Sequence, residues 1–463
     1  MTPRPAQVET FLSHLSPAFG NRLRTDDEAL AKAAVDESGL AAGDPAAVLF
    51  PTTRDEVVRL SREATALGVA VVPRGGGTGK AGACIPSSGE VVVDFSRMSR
   101  ILEVRPQDQY AVVEPGVIAD DFHATVAAQR YFYPPNPGSS ESCTLGGNIA
   151  TNAGGSHAVK YGSTQRYVWG VEVVLMSGEV LKLGRRSLKG VVGLDLTSLM
   201  VGSEGMLGFI TEATLHIIPA PPAVESAWLT FPDILTASRA AEAIFGAGVL
   251  PRMLEVVDRT SLDVVRSQAP FHIPEDSGAS LIIETDGDPE RAIGDLERAC
   301  SAAYDAGASD SAIAKNEKER EAMRRSRRLV SSSLKERFPL KLSDDIAVPR
   351  SRMAEILTRA AEAGAEAGLV TCAYGHLGDG NLHINILCKN ADERSKGRAL
   401  RREILGAVVA MGGTLSGEHG IGLTKRDLLS LEQSAEVIDL QRRLKSVFDP
   451  KGLMNPGKVL PAP

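Results

Sequence analysis

Three glycine-rich loops set among strand-like runs restrict this chain's fold more than any other feature. The first, Pro73-Arg-Gly-Gly-Gly-Thr-Gly-Lys-Ala-Gly82, follows the run Val69-Ala-Val-Val. The second is Pro134-Pro-Asn-Pro-Gly-Ser-Ser-Glu-Ser-Cys-Thr-Leu-Gly-Gly-Asn148, continued by Asn152-Ala-Gly-Gly155 and Tyr161-Gly162. The third is Gly202-Ser-Glu-Gly-Met-Leu-Gly208. Glycine lets backbone N–H groups turn toward an anion with no Cβ in the way. Alone, the first loop also reads as a tight turn between strands, and it is neither a Walker loop nor a G-x-G-x-x-G fingerprint with an acidic ribose partner. Together, three such loops over about 130 residues suggest one long ligand held by backbone dipoles, a dinucleotide such as FAD.

The chain has 463 residues, which suits two or three packed units. Residues 1–44 read as a helical N-terminal arm. Thr53 and Glu56 have the spacing of a capping box, and Val57, Val58, Leu60, Ala64 and Leu67 give the helix after it an apolar face. Strand-like runs follow at Val91–Asp94, Ala111–Glu114 and Val171–Met176, and Pro219-Ala-Pro-Pro222 reads as a linker. Beyond it, helices at about 234–247, 288–306, 315–336 and 350–367 alternate with short strands at Ser280–Glu284 and His383–Leu387, an α+β pattern. A formal net charge of -7 argues against nucleic acid or an anionic membrane surface as default partners. No apolar stretch is long enough to span a bilayer, and the N-terminus lacks a signal-peptide pattern. The expectation is a cytoplasmic protein, with peripheral association at the inner face of the membrane left open. The five cysteines are scattered and include no C-x-x-C, which argues against a disulfide framework or a cysteine-bound cluster.

Of eight histidines, His376 and His383 flank Leu-Gly-Asp-Gly-Asn-Leu, whose Gly-Asp-Gly centre is a turn signal. Two imidazoles converging across a turn can begin a metal site. In the strand after the turn, His383 and Asn385 share one face. Glu418 and His419 are adjacent in Ser416-Gly-Glu-His-Gly-Ile-Gly422, so one can ligate a metal while the other faces a substrate; the bland reading is a glycine loop with two solvated polar residues.

These segments, with Gly375-His-Leu-Gly-Asp-Gly-Asn-Leu-His383 and Asn455-Pro-Gly457, occur in an order that resembles the vanillyl-alcohol oxidase / p-cresol methylhydroxylase (PCMH) superfamily. From about residue 45 onward the chain is similar to the glycolate oxidase flavoprotein subunit, bacterial D-lactate dehydrogenases and D-2-hydroxyglutarate dehydrogenase. The resemblance implies an α+β protein: a two-subdomain PCMH-type FAD-binding domain (45–222), an α+β cap with an antiparallel sheet (223–412), and a C-terminal segment (413–463) returning to a site between them. It implies flavin contacts from Pro73, Arg74, Gly75, Gly76, Gly77, Thr78 and Gly79, and from Pro115 and Gly116. Further contacts are implied from Pro137, Ser139, Thr144, Gly146, Gly147, Asn148, Asn152, Gly154, Gly155 and Gly162, then from Glu204, Gly205, Leu207, Gly208, Ile210 and Asn455. Thr78 stands where covalent relatives place a histidine, and Cys143 is offset by one from the cysteine of bicovalent relatives, so non-covalent FAD is expected.

The same resemblance implies that His376, His383 and Glu418 bind a divalent metal, commonly zinc, that His419 is the base, and that Asn385 lies beside the substrate. Arg327 fits the carboxylate-binding position best, although Arg324 stands where relatives often carry an aromatic. Some relatives use a lysine six residues before the proline matching Pro349; Ser343 stands there, which weakens the case for a dicarboxylate. The expected reaction is FAD- and metal-dependent oxidation of a small D-2-hydroxy acid, D-lactate or glycolate, to its 2-oxo acid. Electrons then leave to a quinone, a cytochrome, an electron-transfer flavoprotein, a separate iron–sulfur subunit or oxygen. D-2-hydroxyglutarate oxidation, a silent flavin subunit of a larger complex, and non-redox chemistry as in alkyl-glycerone phosphate synthase are the competing readings; oligomeric state is open and a homodimer is compatible.

Overall fold

The computed structural model describes residues 5–269 and 271–462. The chain divides into two compact units. Among the described residues, one contains 5–153, Ser163–Ala220 and 418–462; the other contains Gly154–Gly162 and Pro221–Gly417.

The first unit holds a four-stranded sheet in the order Leu23–Arg24, Ala47–Leu49, Val91–Asp94, Val71–Arg74. Ala47–Leu49 and Val71–Arg74 both run parallel to the central Val91–Asp94, which is buried along its whole length, as parallel strands covered on both faces are. Helix Arg54–Leu67 makes the crossover between the two outer parallel strands. Its Val57, Leu60 and Ala64 pack with Phe11, Leu15 and Phe19 of helix Ala6–Phe19. Thr53 caps the crossover helix by accepting from the Glu56 N–H at 3.3 Å. The reciprocal half of the expected capping box is not made: the Glu56 carboxylate takes the Thr52 N–H at 2.8 Å and the Arg22 guanidinium instead. A five-stranded antiparallel sheet follows in the order Ile101–Arg105, Tyr110–Val113, Phe209–His216, Val168–Val174, Val180–Gly184. Pro219, read from sequence as linker, belongs to the short strand Ile218–Pro219 paired with Tyr131–Phe132; proline is tolerated because that two-stranded sheet consists only of edges. The chain passes between units just after it, at Ala220–Pro221.

The second unit is built on seven antiparallel strands, ordered Asp310–Ile313, Ala223–Phe231, Ala279–Gly287, Met253–Asp258, Val370–His376, Asn381–Leu387, Leu342–Ala347. One face is covered by helix Glu317–Arg337, whose Met323, Val330 and Leu334 pack with Trp228, Met253, Val257, Ile282, Cys372, Tyr374 and Leu387. Helices Ile234–Gly246, Pro289–Asp305 and Met353–Glu366 pack among themselves and on strands of the sheet. Ile282 is fully buried beside Trp228, so Ile282→Ala is expected to cost about 2–5 kcal/mol through lost transfer energy and a residual cavity. A urea midpoint equal to that of the unsubstituted protein contradicts this packing.

Candidate functional site

Alternation along three strands of the second unit assembles the polar end of the face under helix Glu317–Arg337. Met253, Glu255 and Val257 fall on one side of their strand; Cys372, Tyr374 and His376 do so on the next, and His383, Asn385 and Leu387 on the third. Register then sets Tyr374 and Asp345 on either side of His383, and Cys372 and Ser343 on either side of Asn385. The turn at Leu377–Asp379 brings the two histidines together as the sequence anticipates, with ring centroids 5.5 Å apart and nearly perpendicular.

Each imidazole has a buried carboxylate on its Nδ1 side. His376 Nδ1 is hydrogen-bonded to Glu255 Oε1, and His383 Nδ1 lies 3.8 Å from Asp345 Oδ1. Glu255 and Asp345 are each 1% exposed. Asp345 also accepts from Asn381 Nδ2 at 2.6 Å and from Ser416 Oγ at 3.0 Å. A Cβ at Gly417 would sit 2.2 Å from Asn381 Nδ2, so the chain passes this cluster too closely for a side chain there. Burial acts to raise the Glu255 carboxyl pKa, but the His376 and Arg327 charges outweigh it and hold it below the ordinary carboxylate value.

The arginines of helix Glu317–Arg337 separate into two kinds. Arg324 is spent on Glu284, Glu317 and Glu321, and Arg320 on Glu317 and Glu225. Arg327 lies on the buried stripe with Met323, Val330 and Leu334. Its Nε is 2.8 Å from Glu255 Oε2, an ion-pair contact without hydrogen-bond alignment, and its Nη2 is buried with no hydrogen-bond partner. No aromatic precedes Arg327 by three positions on the helix, where Arg324 stands, but the sheet supplies one: the guanidinium lies 4.8 Å from the Tyr374 ring centroid. Asn385 is fully buried, its Oδ1 accepting from Lys341 Nζ at 2.7 Å and its Nδ2 donating to the His383 carbonyl. Glu255, Asp345, Tyr374 and Lys341 were not singled out from sequence. The signal for the two acids was an acidic residue at an inward position of an apolar strand, in Met253-Leu-Glu-Val and Asp344-Asp-Ile-Ala347.

The expected flavin positions lie in the first unit, except Gly154, Gly155 and Gly162, which group with the second. There, Lys160 and Tyr161 bind the Asp286 carboxylate and His157 meets Arg252 Nε at 3.2 Å. In the first unit the glycines are of two sorts. A Cβ on Gly76 would fall 2.3 Å from the Ser142 carbonyl, on Gly116 2.1 Å from the Phe95 carbonyl, and on Gly146 2.5 Å from Pro115 Cβ, so these positions serve packing between loops. Gly138 has open space on the Cβ side, and a Cβ on Gly79 would meet only Asp36 Oδ2, in ordinary contact at 3.8 Å. Asn148 Nδ2 and Asn455 Oδ1 are buried polar atoms without a hydrogen-bond partner. Open cradle and orphaned polar atoms together fit a bound dinucleotide.

Asn152, Glu204 and Asn455 all have positive φ, a strained choice for residues with a Cβ. Glu204 accepts from the Ile421 and Gly422 N–H groups at 2.8 and 2.9 Å, and Asn455 Nδ2 donates to the Glu204 carbonyl at 2.8 Å. Glu418 and His419 open the same C-terminal segment, with His419 Nε2 3.9 Å from Glu418 Oε1. Burial pushes the Glu204 carboxyl up to about 7, against the pull of its two N–H donors and Lys425. A folded-state value above the ordinary carboxylate value means the folded chain holds the proton longer, so stability falls as pH rises from about 4.3 toward 7. Glu204→Gln is therefore expected to gain stability relative to the unsubstituted protein as pH rises through that window, measured as urea midpoints; parallel pH curves contradict it.

The stretch 45–184 matches the FAD binding domain family, and 220–459 matches the family of FAD linked oxidases, C-terminal domain. The chain is 36% identical over 417 residues to glycolate oxidase subunit GlcD of Bacillus subtilis, covering 90% of this chain and 89% of that protein. It is 32% identical over 429 residues to D-lactate dehydrogenase of Anaerostipes hadrus (90% and 89% covered). To D-2-hydroxyglutarate dehydrogenase of Stutzerimonas stutzeri it is 31% identical over 472 residues (99% of each). p-Cresol methylhydroxylase with substrate bound superposes with a TM-score of 0.79 at 16% identity, over 98% of this chain and 96% of that one, which establishes the shared fold. With its FAD-binding domain and the cap that follows it, the chain belongs to the FAD-linked oxidases, as an oxidoreductase of the glycolate oxidase, D-lactate and D-2-hydroxyglutarate dehydrogenase type.

Proposed function

We propose that this enzyme is an FAD- and divalent-metal-dependent dehydrogenase of a small D-2-hydroxy acid, D-lactate or glycolate, with non-covalent FAD and zinc as the metal. The observation that carries the reading is the pair of facing histidines, His383 buried and His376 half-buried, each with its Nδ1 side toward a buried carboxylate, beside an arginine whose Nη2 has no hydrogen-bond partner. A carboxylate on Nδ1 leaves Nε2 as the lone pair for a metal and raises its basicity. Glu255 plays that part for His376 through its hydrogen bond to Nδ1; His383 is the second imidazole donor, with Asp345 3.8 Å from its Nδ1, and Glu418 is the third donor. Chain continuity supports Glu418 in this role, since it follows Ser416, which is hydrogen-bonded to Asp345, by two residues.

Arg327 binds the substrate carboxylate through Nη2, and Tyr374 holds the guanidinium plane. His419 takes the hydroxyl proton; an imidazole suits that role because its pKa lies near neutrality. Asn385, fixed by Lys341 and the His383 carbonyl, orients the acid. When bound, the divalent cation supplies charge stabilisation of the ionised hydroxyl, and the flavin supplies the two-electron redox chemistry. Electrons then pass to an external acceptor. A second reading, a dicarboxylate such as D-2-hydroxyglutarate, gains support from Lys341, which places a cation on Asn385 although Ser343 occupies the position that carries a lysine in some relatives.

His419→Ala is expected to keep its flavin and lose roughly two to four orders of magnitude in flavin reduction rate; an unchanged rate removes it as the base. His383→Ala is expected to purify with little metal by elemental analysis, and full occupancy removes it as a ligand. Arg327→Ala is expected to weaken acid binding by about 10- to 100-fold, whereas a loss confined to Arg324→Ala assigns the clamp to the other arginine.

A further inference from the structure

Glu255 occupies a place that packing alone would give to an aliphatic side chain. Its neighbours on the same side of the strand, Met253 and Val257, sit in the apolar cluster beneath helix Glu317–Arg337. A carboxylate there is tolerated only because it is matched. The match comes from two directions: Oε1 meets His376 Nδ1 from the adjacent strand, and Oε2 meets Arg327 Nε from the covering helix. The first contact decides which imidazole nitrogen is turned away from Glu255. The second, with the Tyr374 ring 4.8 Å from the guanidinium carbon, decides how the guanidinium lies and leaves Nη2 without a partner.

We infer that Glu255 is a positioning residue shared by the metal ligand His376 and the carboxylate-binding Arg327, so that one buried carboxylate aligns both the metal and the acid-binding halves of the substrate site. The inference rests on the roles proposed above for those two residues. Glutamine is the sharp substitution. It preserves volume but offers one acceptor and one donor where two N–H donors converge, so one partner faces a donor–donor clash and turns away. Removing the charge also leaves the Arg327 guanidinium, buried on the helix, without its counter-charge.

The test uses the flavin-loaded protein stripped of metal by chelation. Zinc affinity is read by competition with a chromogenic chelator, and affinity for pyruvate, a 2-oxo acid that oxidised flavin does not consume, by perturbation of the flavin spectrum. Glu255→Gln is expected to weaken zinc binding about 10- to 100-fold and pyruvate binding about tenfold or more. Asp258→Asn is the structural control. It lies on the same strand, but its carboxylate takes the backbone N–H groups of Ser261 and Ala373, and it is expected to leave both affinities close to those of the unsubstituted protein. His376→Ala and Arg327→Ala test the foundation, the first losing zinc and the second losing pyruvate. If both show those losses while Glu255→Gln keeps either affinity, the shared role is wrong and the site assignment stands. If His376→Ala keeps zinc or Arg327→Ala keeps pyruvate, the site assignment fails and this inference with it. Equal losses from Asp258→Asn reduce Glu255 to a general structural acid and also overturn it.

Discussion

A carboxylate taken out of water has to be met by positive charge or by N–H donors, and the polar part of this protein is organised around that requirement. Glu255 is met by His376 and Arg327, Asp345 by Asn381 and Ser416, and Glu204 by the N–H groups of Ile421 and Gly422. Glu284 and Asp286 are met by Arg324, Lys160 and Tyr161. Each match joins segments far apart in sequence, so the burial of acids pins the folded arrangement as well as the chemistry. The cost of breaking such a match is larger than the gain from making it, because the partner left behind is a buried charge.

Glycine plays an equally divided part in the first unit. Where the Cβ side is occupied by another loop, as at Gly76, Gly116 and Gly146, glycine allows the loops to approach. Where it is open, as at Gly138, or met only by ordinary contact, as at Gly79, it leaves room beside the backbone. Glycines of the second group leave backbone N–H groups accessible to an anion; those of the first answer a packing demand.

Much of the architecture was legible because its signals are local. The period-2 pattern of His383–Leu387, the Gly-Asp-Gly turn and the apolar face of the crossover helix each depend on residues within a few positions of one another. The order of glycine and histidine motifs carried the family resemblance along almost the whole chain. The unread part is long-range. Glu255 meets a histidine 121 residues away, and only strand order and register bring them together. Lys341 reaches Asn385 across 44 residues, whereas the spacing from Pro349 falls on Ser343. The capping box at Thr53 was half right because Arg22, from a different element, competes for the Glu56 carboxylate. The division of arginines on helix Glu317–Arg337 likewise needed their acidic partners, since spacing alone puts Arg320, Arg324 and either Arg327 or Arg328 on one stripe.

The central claim is that flavin, metal and arginine act on one small hydroxy acid. Its most direct measurement is anaerobic bleaching of the flavin absorbance on adding D-lactate, glycolate, D-2-hydroxyglutarate or L-lactate, before and after chelation. The account calls for rapid bleaching by a D-acid or glycolate, lost on chelation and restored by zinc or another divalent metal. A flavin that none of these acids reduces, or one reduced equally fast after complete removal of metal, contradicts it.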